Sequence, residues 1–207
     1  MKPYYEHAGI TIYHGDCREI LPDVDVDAIC ADPPYGVGKD YGEGCVDSLE
    51  TFQWAVKLVA EYGSPSGVFF PVCRTYDLPI RPQWTAIWAK TYGSSGLIAY
   101  PIYPHWEGIA LYNLKGDYAG NNGHRSDVFH FAPEKAQGSG HPTPKPLDLL
   151  IALVEFLPGQ TICDPFMGSG TTLRAAKEIG KSAIGIEIEE KYCEIAAKRL
   201  SQEVFQF

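Results

Sequence analysis

Two short strings place reactive residue types on constrained backbone. Asp32-Pro33-Pro34-Tyr35 follows the apolar run 26–31 and sets a carboxylate and a phenol around a diproline. Proline fixes φ, so the backbone that presents the Asp32 carboxylate and the Pro33 carbonyl is stiff. The string stands at the C-terminal end of a buried strand, where ligands sit in open α/β sheets. The second string is Asp164-Pro165-Phe166-Met167-Gly168-Ser169-Gly170-Thr171-Thr172, with Glu187 closing the next apolar run. Gly168 and Gly170 stand between a strand and a helix, where backbone must pass close to a ligand, and an acid at the end of the following strand suits ribose hydroxyls. An adenosine derivative is the expected ligand. Leu173 stands where a dinucleotide fingerprint has its third glycine, which counts against NAD.

These strings need an alternating α/β frame. Apolar runs at 10–14, 26–31, 67–72, 85–90 and 108–115 read as strands, and 48–62 reads as a helix. From 146 the pattern becomes regular: a helix opened by Pro146, a strand at 161, the glycine turn, a helix ending at Gly180, a strand at 182–186 and a helix over 189–200. Residues 36–44 form a glycine-rich loop. Residues 116–141 show neither period and read as an exposed functional insertion.

The 207 residues fit one domain, and 45% apolar with 21% charged residues excludes disorder. The start lacks an apolar signal core, and no run reaches the roughly eighteen apolar residues that span a bilayer, so a soluble cytoplasmic protein is expected. The six cysteines are scattered, without a C-x-x-C pair or nearby histidines, so no metal site or disulfide framework is expected. Net charge is −9, unevenly spread: residues 1–71 carry 4 basic and 12 acidic side chains, whereas residues 72–145 carry 7 and 5. A polyanion is expected to meet that middle third.

Asp32-Pro-Pro-Tyr35, His141-Pro-Thr-Pro-Lys-Pro146, the 164–172 string and Gly185-Ile-Glu187 together resemble the S-adenosylmethionine-dependent DNA amino-methyltransferases. The motif order is that of the permuted beta group, adenine-specific type, and the likeness covers almost the whole chain. It implies a single-domain α/β Rossmann-like methyltransferase fold over 1–207, with a seven-stranded, mostly parallel sheet, helices on both faces, circularly permuted motif order and a target-recognition insertion at about 116–140. The implied reaction is methylation of the N6 amine of an adenine flipped out of double-stranded DNA. Cytosine N4 methylation remains the alternative, because that group usually carries serine at the first motif position but sometimes keeps aspartate. An intact Asp32 and Tyr35 speak against a catalytically idle DNA-binding relative. The source implied is bacterial or phage-encoded.

The resemblance implies a role for each motif position. Asp32, Pro33, Pro34 and Tyr35 are catalytic, with Tyr35 stacking on the extruded base. Asp164, Phe166, Gly168 and Gly170 line the cofactor path, Glu187 bonds the ribose, Asp16 and the Cys17 backbone meet the adenine, and Thr143 and Lys145 lie near the methionine carboxylate. Lys39, Trp106 and Arg125 contact DNA, Trp106 at the base pocket; Lys115, His124, His130 and Lys135 are further candidates. Specific DNA interfaces bury about 1,000–2,500 Å² of protein, so a reader this short implies a homodimer. Calorimetry is expected to show binding of S-adenosylmethionine, weakened by Glu187→Ala by about 1.5–3 kcal/mol through lost charge-assisted bonds. Equal or tighter binding of NAD would overturn this reading.

Overall fold

The apolar runs become strands of a single sheet. In a computed structural model, which describes residues 2–38, 47–91, 104–114, 126–134 and 145–201, the strands are β1 (Tyr5–His7), β2 (Ile10–His14), β3 (Ala28–Ala31), β4 (Ser66–Pro71), β5 (Trp84–Lys90), β6 (Trp106–Tyr112), β7 (Val128–Phe131), β8 (Thr161–Asp164) and β9 (Ser182–Glu187). Their order across the sheet is β1-β2-β9-β8-β3-β4-β6-β5-β7. Only β1 and β6 run against the other seven.

The expected seven-stranded sheet is therefore corrected to a nine-stranded mixed one among the described residues. The two additions sit at the edges. β1 (Tyr-Glu-His) is half-exposed to exposed and pairs only with β2, so it lacks the apolar signature of a core strand. β7 lies inside the stretch expected to be irregular and pairs in parallel with the end of β5.

The helices are α1 (Cys17–Ile20), α2 (Leu49–Tyr62), α3 (Leu147–Phe156), α4 (Thr171–Glu178) and α5 (Glu190–Ser201). α2 starts where Ser48 Oγ accepts the Thr51 amide at 3.0 Å and stops where Gly63 turns left-handed at φ 93°. Its Phe52, Val56 and Val59 are fully buried, as are Val68 and Phe69 of β4.

Neighbouring β8 and β3 send their chains in opposite directions. β8 leads through α4 to β9 on one side, and β3 leads through α2 to β4 on the other. Right-handed crossovers place these two helices on opposite faces of the sheet, and the gap between them at the strand C-termini is where ligands enter open α/β sheets. Asp164 ends β8 and Asp32 follows β3. Two strings separated by about 130 residues in the chain thus become neighbours at one crevice.

On the other side of β4, β6 runs antiparallel, with Gly108 opposite Phe70. A Cβ at 108 would lie 2.1 Å from Phe70 Cζ, and Phe70 is 1% exposed. Gly108→Ala is expected to destabilise the fold by about 1–3 kcal/mol through overpacking. In a chain of this size that lowers the melting temperature by about 2–4 °C per kcal/mol. An unchanged melting temperature would show that the Phe70 ring has room to retreat.

Candidate active site

The chain leaving β3 is clamped from both sides. Asp47 accepts the Gly36 and Val37 amides at 2.5 and 2.9 Å. Arg74 Nε donates to the Tyr35 carbonyl at 2.8 Å, a second Arg74 nitrogen donates to the Gly36 carbonyl, and Asp77 pairs with the same guanidinium at 3.0 Å. Gly36 takes φ +67°, and a Cβ there would lie 2.5 Å from the Ser48 carbonyl carbon, so only glycine fits this turn. With Pro33 and Pro34 buried before it, the loop has little freedom.

Asp32 and Tyr35 meet a buried cation. Lys145, in the residue pair before α3, is 8% exposed. Its ammonium donates to both Asp32 oxygens, at 2.8 and 2.7 Å, and to the Tyr35 hydroxyl at 3.0 Å. The Tyr35 hydroxyl donates to Asp32 Oδ1 at 2.5 Å. Glu107 of β6 joins the group: its Oε2 lies 3.4 Å from Lys145 and 3.2 Å from the Tyr35 hydroxyl, and its Oε1 accepts from Lys90 at 2.7 Å. Burial works against the Lys145 charge, but Asp32 and Glu107 outweigh it and hold the ammonium above its ordinary value. Burial likewise pushes Glu107 up, and Lys145 and Lys90 outweigh it, so this carboxyl stays below its usual range.

Three of the expected residues take the following places. The Lys145 ammonium sits on the Asp32 carboxylate, whereas the resemblance implied a place near the methionine carboxylate; burial leaves it no partner as good as the two acids already facing it. Tyr35, expected to stack on the base, is 7% exposed with its hydroxyl bonded into the cluster. Trp106 is half-buried and directly precedes Glu107, and strand alternation turns it to the opposite face from the cluster.

Beside the cluster lies a cavity of about 290 Å³. Among the expected residues, Asp16, Cys17, Asp32, Pro34, Phe166, Gly168 and Glu187 line it. Both Glu187 oxygens are oriented by backbone: Oε2 accepts the Gly168 amide and Oε1 the Glu189 amide, each at 2.9 Å. Burial raises this carboxyl and the backbone donors only partly offset it. Asp164 supports the turn from below, accepting the Phe166 amide at 3.0 Å, and burial pushes it up to about 7. Gly170 opens α4 at φ 79°, packed so closely on Ala196 that a Cβ would lie 2.9 Å from that residue's Cβ. Arg199 of α5 braces the turn through the Ser169 carbonyl at 2.7 Å and hydroxyl at 3.0 Å.

Asp16 caps α1 and holds Arg18 in a two-pronged ion pair, with Arg18 Nε 3.0 Å from each oxygen. The Arg18 guanidinium lies 5.0 Å from the Trp54 ring centre, and Trp54 meets Phe166 at 6.0 Å between ring centres. Trp54, Arg18 and Thr51 line the cavity without having been expected there, as does Tyr192. Nothing in the local string around Trp54 marks it; only the docking of α2 beside the glycine turn does. Glu107 and Lys90 left a clearer trace, being single charges in otherwise apolar strands, which burial tolerates only in pairs. Lys39, Thr143 and Arg125 lie outside the described residues, as do Lys115, His124 and Lys135; His130 is exposed on β7.

The residues lining the cavity fit S-adenosylmethionine by their donor set. It has an oriented carboxylate at 187 for a ribose, aromatic rings from Trp54 and Phe166 for a flat or sulfonium-bearing group, and a wall reaching Asp32 and Pro34. Its volume is near the lower end of small-molecule pockets, about 300 Å³.

Comparison with known proteins leads the same way. Residues 105–198 match the family described as DNA methylase. Type II methyltransferase M.ScaI of Streptomyces caespitosus is 27% identical over 98% of this chain and 84% of its own. The DNA adenine methyltransferase YhdJ of Escherichia coli (strain K12) is 29% identical over 92% of this chain and 82% of its own. The crystal structure of M1.HpyAVI superposes with a TM-score of 0.66 at 25% identity, covering 94% of this chain and 100% of that one. The cytosine-N4-specific PvuII DNA methyltransferase shares the fold at a TM-score of 0.74 with 14% identity, over 99% and 91% of the two chains. Relatives matched over most of their length, matching motifs and an α/β sheet that joins Asp32 to a cavity suited to the methyl donor lead to one conclusion: this chain is similar to the S-adenosylmethionine-dependent DNA amino-methyltransferases.

Proposed function

We propose that the chain transfers the methyl group of S-adenosylmethionine to the exocyclic N6 amine of an adenine flipped out of duplex DNA. The observation that carries this reading is the continuity of the cavity, which runs from the ribose-type carboxylate Glu187 to the acceptor carboxylate Asp32. Glu187, Asp16, Phe166, Trp54 and the Gly168 backbone would hold the cofactor, which supplies an electrophilic methyl on a sulfonium.

The protein's own part is to prepare the amine. An exocyclic amine shares its lone pair with the ring and is a poor nucleophile. Among the described residues, Asp32 Oδ1 accepts from Tyr35 and Lys145, whereas Oδ2 accepts from Lys145 alone, and the side chain is 28% exposed. One lone pair on Oδ2 is therefore left for an amine hydrogen, with the Pro33 carbonyl as acceptor for the second. Donation to both favours tetrahedral nitrogen and aims its lone pair at the methyl. The displacement is direct, the proton then leaves the nitrogen for Asp32, and the enzyme forms no covalent intermediate. Lys145 holds the carboxylate still, which serves preorganisation: the acceptor does not reorient as charge develops.

Aspartate at the first motif position and the relative named as an adenine methyltransferase support adenine. The fold shared with a cytosine-N4-specific enzyme supports the alternative only as far as fold can. The permuted motif order, the recognition insertion at about 116–140, DNA contact through residues 72–145 with Lys39, a homodimer and a cytoplasmic location belong to the same proposal. Asp32→Ala is expected to keep cofactor and DNA affinity within several-fold while methyl transfer falls at least ~100-fold, since losing one preorganised transition-state partner costs about 2.7–4 kcal/mol. Single-turnover kinetics at saturating DNA and cofactor, with modified adenine and cytosine read separately, measures this. Transfer by Asp32→Ala at near the original rate, or modified cytosine alone, would overturn the proposal.

A further inference from the structure

Glu107 is the member of the buried cluster that no motif covers. It comes from β6, while Asp32 and Tyr35 follow β3 and Lys145 precedes α3, and it touches both groups that bond Asp32. Lys145 has three N–H donors, and its acceptors are the two Asp32 oxygens, the Tyr35 hydroxyl and Glu107 Oε2. Without Glu107 the ammonium would have Asp32 as its sole carboxylate among the described residues, and the donors of Lys145 and Tyr35 would bear on Asp32 alone. Lys90 holds the other Glu107 oxygen at 2.7 Å and is itself seated over the Trp88 ring at 4.8 Å, so Glu107 is anchored from the far side.

We propose that Glu107 is a positioning residue for methyl transfer, sharing Lys145 and Tyr35 with Asp32 so that neither donor is wholly spent on the carboxylate that must accept the target amine. This rests on the functional reading above. Its rival is a structural role, in which Glu107 only balances charge. Lys90 and Lys145 carry two positive charges against the two negative charges of Asp32 and Glu107, and the two roles separate on that balance.

Glu107→Gln leaves the cluster with one excess positive charge; adding Lys90→Met restores neutrality without restoring a second carboxylate beside Lys145. Melting temperature, cofactor and DNA affinity, and the single-turnover rate are measured for the unaltered chain and both variants. Glu107→Gln is expected to lose at least ~10-fold in rate, with both affinities within about threefold. The double variant is expected to regain melting temperature and not rate. Should Glu107→Gln fail to fold, the neutral double variant carries the rate measurement. Recovery of the rate together with stability, or a rate for Glu107→Gln equal to that of the unaltered chain, overturns the proposal alone. Absence of transfer by the unaltered chain overturns the functional reading and this inference with it.

Discussion

An ammonium buried among two carboxylates and a phenol is the contact around which this site is arranged. Removing Lys145 from water costs several kcal/mol, and only close, well-directed acceptors offset such a cost. Asp32 at 2.7 Å and Glu107 at 3.4 Å supply them, with the Tyr35 hydroxyl at 3.0 Å. The same requirement fixes the geometry of Asp32, because an acceptor held by a buried cation is not free to rotate. On the proposed function, orientation of the acceptor and burial of the cation are one constraint.

The sheet exists, for this purpose, to bring distant segments to one edge. Residues 32–35, 107 and 145 come from β3, β6 and the entrance to α3, and the glycine turn comes from β8. β3 can stand beside β8 because their crossovers depart in opposite directions, and β6 can enter beside β4 because it runs antiparallel. That reversal puts the first residues of β6 at the same edge as the last residues of β3 and β4. Gly108 belongs to this packing: its missing side chain makes room for Phe70 one residue from Glu107. The cavity uses the other half of the edge, where Asp164 lies buried beneath the turn and Glu187 is oriented by two amides.

Much of this was legible in the residues, for identifiable reasons. The strands β3 and β4 read as near-continuous apolar runs because they are buried, Ser48 marks a helix start through its side-chain cap, and Gly63 and Gly170 mark element ends through left-handed backbone that few other residues adopt as readily. The glycine turn and Asp32 were found because each is local in sequence. What escaped was either weakly patterned or non-local. β1 and β7 are three and four residues long at the sheet edges, where burial imposes little pattern. The pairing of Lys145 with Asp32 spans 113 positions, and a lysine before a helix looks the same whether it faces a cofactor, solvent or an acid. Glu107 and Lys90 could have been paired on the ground that each interrupts a strand otherwise apolar, but nothing local says that Tyr35 completes the group.

A crystal structure of the chain with a non-reactive methyl-donor analogue and a duplex carrying a site that it methylates is the most direct test of how the buried cation sets the acceptor. The extruded amine should lie within about 3.2 Å of Asp32 Oδ2, with Lys145 still on Asp32 and Glu107 still beside Lys145. A Lys145 ammonium moved onto the analogue's carboxylate, or an amine held by groups other than Asp32, would contradict it.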